Sequence, residues 1–179
     1  MRNLVKFGDY INLFEGGAAI KDSRRIRESE VPKTLESIKS ILFPILGGGE
    51  IDKEYLIIGS IGKKKNHSDT SGDIDLGIDK KFLSKSLGVS EDDVLGALYK
   101  NLSETLHNKL GFVPDLKLMR GINVLSIGWP IEGDESKGIV QLDLIPIADM
   151  EWAKFIFYSP DYRKNESKYK SAHRNWLFQ

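Results

Sequence analysis

The sequence predicts an α/β chain of the α+β kind, with a mixed, largely antiparallel sheet and helices packed on one face. Three observations carry that expectation. Two short apolar runs, "EYLIIG" and "GDIDLGI", lie close together in the first half. Two longer stretches with helical spacing and start and stop signals flank them, and three more apolar runs fill the second half.

In chain order, residues 1–30 mix aromatics, the turn-like "EGGAA" and the basic "KDSRRIR" without periodicity, so they are expected as an irregular arm packed on the domain. "SEVPKTLESIKSILFPIL" reads as a helix, with Ser29 or Glu30 near the cap, Pro32 in the first turn and a stop at Gly47 to Gly49; Pro44 should kink it or end it early. "EYLIIG" and "GDIDLGI" are strands of the buried type. "SEDDVLGALYKNLSETLHNKLG" opens on Ser90 with acids in its first turn and closes on Gly111, which predicts the second helix. "DLKLMR", "NVLSIGWPI" and "GIVQLDLIPI" follow as strands, the last two joined by the acidic loop "EGDESKG". From "EWAKFIFYSPDYRKNESKYKSAHRNWLFQ" onward the chain turns aromatic and basic, with helix expected around Trp152 and again after Ser167. The expected domains are an N-terminal arm (1–30), a central domain (31–150) and a C-terminal helical extension (151–179).

Composition narrows the chemistry. A chain of 179 residues can bury one real core. The absence of cysteine removes disulfides, thiol catalysis and zinc-thiolate sites, and it fits a reducing compartment. No apolar run reaches the ~20 residues of a membrane span, and "MRNLVKFGDYINLF" lacks a signal-peptide core, so a cytoplasmic protein with no membrane partner is expected. A formal net charge of zero leaves any polyanion to be met by local basic patches.

The stretch "IIGSIGKKKNHSDTSGDIDLGID" holds the chemistry. Strand alternation sends Asp73 and Asp75 to one side and Ile74 and Leu76 to the other. Two adjacent carboxylates repel unless a cation sits between them or one holds a proton. Taken alone the pair reads as a strand edge with solvated charges. A third acid, Asp143 in "VQLDLIPI", reverses that judgement if its strand lies beside "DIDL"; Gln141 shares its face but is an amide. Three hard oxygen ligands without cysteine suit Mg2+ or Mn2+. Upstream, Gly59 and Ser60 end a strand and would open a helix whose free N–H groups could cradle phosphate.

Ile58, Gly59 and Ser60, then Asp73, Ile74 and Asp75, then Leu142, Asp143 and Leu144 together resemble the nucleotidyltransferase superfamily typified by DNA polymerase beta, poly(A) polymerases and CCA-adding enzymes. The resemblance spans roughly residues 54–147. The wording "GSIGKKKNHSDTSGDIDL", with "FEGGAA" before it and "YSPDYRKNESKYKSAHRN" after it, is also similar to phage-borne members, which would place the protein in the host cytoplasm. The resemblance implies the nucleotidyltransferase palm and transfer of a nucleoside monophosphate from a nucleoside triphosphate, such as ATP, with release of pyrophosphate. It implies that Asp73 and Asp75 hold two divalent ions and that Asp143 binds the one that activates the attacking hydroxyl. Gly59 and Ser60 would hold the β- and γ-phosphates, with Lys63 close by. The acceptor stays open among RNA or DNA, a protein and a small molecule. The family's helical domain after the palm would begin about where "NWLFQ" stands, so 151–179 is expected as a truncated or minimal extension. A non-catalytic nucleic-acid or protein-binding module that keeps the fold is the alternative.

Competing motifs fail on spacing. Gly59 to Gly62 is too short for a P-loop and Lys64 follows Lys63 where serine or threonine is needed; "DTSGDIDLGIDK" has Ile74 and Lys80 where a calcium loop needs glycine and glutamate. His67, His107 and His173 are too scattered to form a metal site, and His107 is expected on a helix surface. Arg24, Arg25 and Arg27 read either as phosphate contacts or as a solvated arm, and Lys63 to Lys65 as a solvated loop or a polyanion contact. Arg163, Lys164, Lys168, Lys170 and Arg174 form the second basic patch that a nucleic-acid acceptor could use. Trp152, Phe155 and Phe157 are expected in the core.

Overall fold

The structure, a computed structural model, describes residues 19–61 and 69–157. The strands are β1 (Ile26–Arg27), β2 (Tyr55–Ile58), β3 (Thr70–Ser71), β4 (Asp73–Asp79), β5 (Leu116–Met119), β6 (Val124–Pro130) and β7 (Ile139–Ile147). The helices are α1 (Val31–Ile45), α2 (Lys80–Leu87), α3 (Val94–Leu110) and α4 (Met150–Phe157). Five strands form one sheet in the order β2-β4-β7-β6-β5, and β1 pairs with β3 in a separate ribbon. Among the described strands only β4 and β7 run parallel; the other pairs of the large sheet are antiparallel. The chain is thus mixed α+β with a largely antiparallel sheet, as its sequence predicts.

The register sorts side chains between two faces. Ile74, Leu76 and Ile78 of β4 lie beside Leu142, Leu144 and Pro146 of β7, and Leu125, Ile127 and Trp129 of β6 continue the row. Helices α1, α2 and α3 close over this row, burying Ile38, Leu42, Leu83, Leu98, Leu102 and Leu106 against it in one cluster. Burying a side chain of this size removes enough apolar surface to contribute about 1.5–3 kcal/mol. Each such strand is apolar on the helix face, and its other face is free to carry polar groups.

That other face is not bare, which corrects the expectation that all helices pack on one side. Leu56 and Ile58 of β2 present a second apolar patch, and α4 covers it with Met150 and Ala153, joined by Ile145 and Ile147. A sheet whose edge carries branched apolar residues on both faces needs a cover on both. Trp152 of α4 is 52% exposed, so it is not a core residue as expected. The side chains of Phe155 and Phe157 lie outside the described residues. No described helix is long and apolar enough to cross a membrane.

Several elements differ from expectation. The helix α2 is additional: the Asp79 carboxylate caps it by accepting from the Phe82 N–H at 2.8 Å, and Gly88 ends it at φ +67°. Pro44 falls in the last turn of α1, which ends one residue later with Gly47 beyond it at φ +96°. The helix α3 begins with a 3-10 turn at Glu91–Asp93, where Ser90 donates to the Asp93 side chain instead of capping. His107 lies on its exposed surface, as expected. The described part of the N-terminal arm is ordered into the sheet system: Arg24 N–H donates to the Ile139 carbonyl at 2.7 Å, and Ile26 pairs with Ser71. Arg24 is engaged by Glu30 and by the Lys137 carbonyl, so it is a packing residue of the arm.

Candidate metal centre

Asp75 and Asp143 are register partners on the parallel strands β4 and β7, and Asp73 is the partner of Gln141. Parallel strands in register put side chains of one face beside each other, so the two runs "DID" and "QLD" place their polar groups in one patch. Asp73, Asp75 and Asp143 each offer a carboxylate oxygen, and these oxygens lie within 4.8 Å of one another. The structure therefore brings together the three acids that the sequence singled out.

Gly59 follows β2, whose Ile58 is the register partner of Asp75. It sits at φ +75°, and a methyl group added there would lie 1.8 Å from Asp75 Oδ2. Only glycine combines that backbone conformation with so close an approach to a carboxylate. Ser60 lies in the same turn, and its Oγ is 2.8 Å from the Oγ of Ser71. Ser71 is 2% exposed, so this hydroxyl pair is fixed against the core rather than free in solvent. Gly59 to Ile61 form a turn; a helix opening at Ser60 would run into residues 62–68, outside the described residues, where Lys63, Lys64, Lys65 and His67 also fall. The basic patch from Arg163 to Arg174 and His173 lie outside them too.

Asp143 is the most buried acid of the three, at 8% exposure. Ser126 on β6, its register partner, donates to Oδ1 at 2.6 Å. Gln141 Nε2 lies 3.0 Å from both carboxylate oxygens. Burial pushes the Asp143 carboxyl above the usual range, and the donors from Ser126 and Gln141 pull it part of the way back. Asp73 is raised to about 6, first by burial and then by the charge of Asp143, with Arg25 opposing. Arg25 is itself held at the edge of the site, Nε donating to Thr70 Oγ1 at 2.9 Å and Nη2 to the Thr70 carbonyl at 3.0 Å.

Ser126, Ser71 and the double role of Gln141 are absent from the sequence reading. A serine inside the apolar run "NVLSIGWPI" is a signal, but its meaning depends on which strand lies opposite. Among the described residues the donor set is three carboxylates with neutral amide and hydroxyl support and no nitrogen or sulfur ligand, which fits a hard divalent cation such as Mg2+ or Mn2+. The raised Asp73 carboxyl agrees with this: burial lifts it first, and the neighbouring Asp143 charge, only partly offset by Arg25, lifts it further, so a cation there would relieve that repulsion. Against models of known protein families and against curated proteins, the chain has no match.

Proposed function

We propose that the protein is a metal-dependent nucleotidyltransferase with a palm-type fold, moving a nucleoside monophosphate from a nucleoside triphosphate to an acceptor and releasing pyrophosphate. The observation that carries this reading is the pairing of Asp75 with Asp143 across the parallel strands, with Asp73 beside them and the Gly59 turn pressed against Asp75. Asp73, Asp75 and Asp143 would hold two Mg2+ or Mn2+ ions. When bound, these ions supply the positive charge that stabilises the attacking and leaving oxygens of an in-line displacement at phosphorus.

The chain's own residues do the positioning. Ser60 Oγ and the Gly59 backbone would bind phosphate oxygens of the triphosphate, with Lys63 adding charge from the following loop. Asp143, held by Ser126 and Gln141, would sit on the side of the attacking hydroxyl. The Ser71 hydroxyl would keep Ser60 from rotating away. The acceptor is RNA or DNA, a protein hydroxyl or a small molecule, and the action takes place in the cytoplasm.

The test is incubation with each of the four labelled nucleoside triphosphates and Mg2+ or Mn2+, with and without RNA, reading pyrophosphate release and label transfer. Calorimetry with a non-hydrolysable triphosphate accompanies it for wild type and Ser60→Ala. Expected are Mn2+-dependent triphosphate binding that Ser60→Ala weakens about tenfold, the loss of a hydrogen bond to a charged group, and transfer that Asp143→Asn abolishes. A wild type that binds neither the cation nor the triphosphate refutes the enzyme. Binding of nucleic acid or protein without transfer favours the non-catalytic module.

A further inference from the structure

Gln141 makes contacts in two directions. Its Oε1 accepts from the backbone N–H of Ala19 at 2.9 Å and of Ile20 at 3.2 Å. Its Nε2 faces both oxygens of Asp143. The side chain is 3% exposed, so water offers it no alternative partner. Backbone N–H groups can only donate, so the amide oxygen must face them and the NH2 must face the carboxylate. Reversing the amide would set NH2 against two donors and a carbonyl against a carboxylate, losing every one of these hydrogen bonds at once. The orientation of Gln141 is thereby fixed by the seating of two backbone groups on a segment that is 121 or more residues away in sequence.

Asp143 is correspondingly asymmetric. Among the described residues, Oδ1 receives Ser126 and Gln141, while Oδ2 receives Gln141 alone. A carboxylate oxygen has two in-plane lone pairs, so Oδ2 keeps acceptor capacity that Oδ1 has used. Rotating the carboxyl group would exchange the two oxygens only by breaking the bond to Ser126.

We propose that Gln141 is a positioning residue that couples the seating of the Ala19–Ile20 backbone to divalent-cation binding through Asp143. This rests on the reading of the three acids as a cation site, and not on the transfer reaction. Coupling of two binding events is reciprocal. A cation held by Asp143 Oδ2 fixes the carboxylate in place, and with it Gln141 and the Ala19–Ile20 segment; releasing that segment frees Gln141 to turn, lets the carboxylate move and loosens the cation.

The experiment uses the full chain and Mn2+ alone. Amide hydrogen exchange of Ala19 and Ile20 is measured with and without saturating Mn2+, and Mn2+ affinity is measured by paramagnetic resonance at one pH. Wild type should exchange these two amides at least threefold more slowly with Mn2+ bound. Gln141→Leu should remove that response and weaken Mn2+ about 10- to 100-fold, the usual effect of losing a partner that orients a metal ligand. Gln141→Glu keeps an acceptor for Ala19 and Ile20, and beside Asp143 it replaces the NH2 group by a single shared proton that a bound cation would expel. It should retain metal-free protection of the two amides while losing their response to Mn2+, which a purely structural role would not produce. If Gln141→Leu fails to fold, the wild-type exchange comparison and Gln141→Glu still decide. Wild type that binds Mn2+ with no change in Ala19 and Ile20 exchange overturns the coupling and leaves the cation site intact. Wild type that binds no Mn2+ overturns both.

Discussion

Replacing Asp73 by asparagine should make the metal-free protein more stable at neutral pH. In the folded chain the Asp73 carboxyl is raised from the ordinary 3.8 to about 6 by burial and by Asp143. Between those two values the folded chain binds more protons at this position than the unfolded chain, so stability falls as pH rises through the window and stays low above it. A difference of roughly two pH units at about 1.36 kcal/mol each puts the full penalty at about 3 kcal/mol. Because Asp73 is only partly buried, about 1–3 kcal/mol is the expected gain for Asp73→Asn at pH 8. The assay is denaturant unfolding in a chelator at pH 4, 5, 6, 7 and 8 for both proteins. Their curves should converge near pH 4, separate between pH 4 and 6, and stay a constant distance apart above that. Mn2+ at a thousand times its dissociation constant should reverse the order, because it adds about 4.1 kcal/mol to a wild type that binds it when the variant does not. The reasoning is wrong if the variant is no more stable than wild type at pH 8 in chelator, or if the gap between them is the same at every pH.

Two further expectations test the surroundings of the site. Gly59→Ala should lower stability by about 1–3 kcal/mol, from the positive φ and from the added methyl's overlap with Asp75, and should weaken Mn2+ at least tenfold because Asp75 must move; unchanged Mn2+ affinity would separate Gly59 from the metal centre. Glu30→Gln should cost about 1 kcal/mol at pH 7, since Glu30 accepts from both terminal nitrogens of Arg24 and from the Arg27 N–H. The Arg24 hydrogen bond holds Glu30 below its ordinary 4.5, so its contribution is present above that value and lost as pH falls through the lowered one. Unfolding curves of the two proteins that stay equally far apart at pH 3 and pH 7 would show that the Glu30 charge is not the cause.

What could be read from the sequence was whatever a strand or helix states about itself. Alternation in "DIDLGI" and "VQLDLIPI" shows which residues share a face, and the acidic start after Ser90 and the stop at Gly111 bound a helix, because both signals are local. The helix α2 was equally local, with Asp79 and Gly88 at its ends, but its eight residues offer too few apolar positions to show a period beside the stronger strand before it. β1 and β3 have two residues each and exist only through pairing between positions 26 and 71, so no pattern within either segment announces them. The roles of Ser126 and Gln141 depend likewise on register between distant strands, which a list of residues does not contain.

The same two-faced strands explain how the chain tolerates its acids. Ile74 and Leu142 are fully buried on the helix side, which fixes the register of β4 against β7, since a slip of one residue would turn the apolar rows outward and the acids into the core. The core therefore holds Asp75 against Asp143, and the conflict on the polar face appears as raised carboxyls: burial lifts both Asp73 and Asp143, and the charge of Asp143 lifts Asp73 further. Packing on one face thus holds charge density on the other that would otherwise disperse. A sheet selected only for stability would have a neutral pair at 75 and 143, as it already has Gly128 opposite Gln141 on the next strands. The conflict is local to one polar patch inside an otherwise consistent pattern, which is where a cation that binds the folded chain alone would add stability.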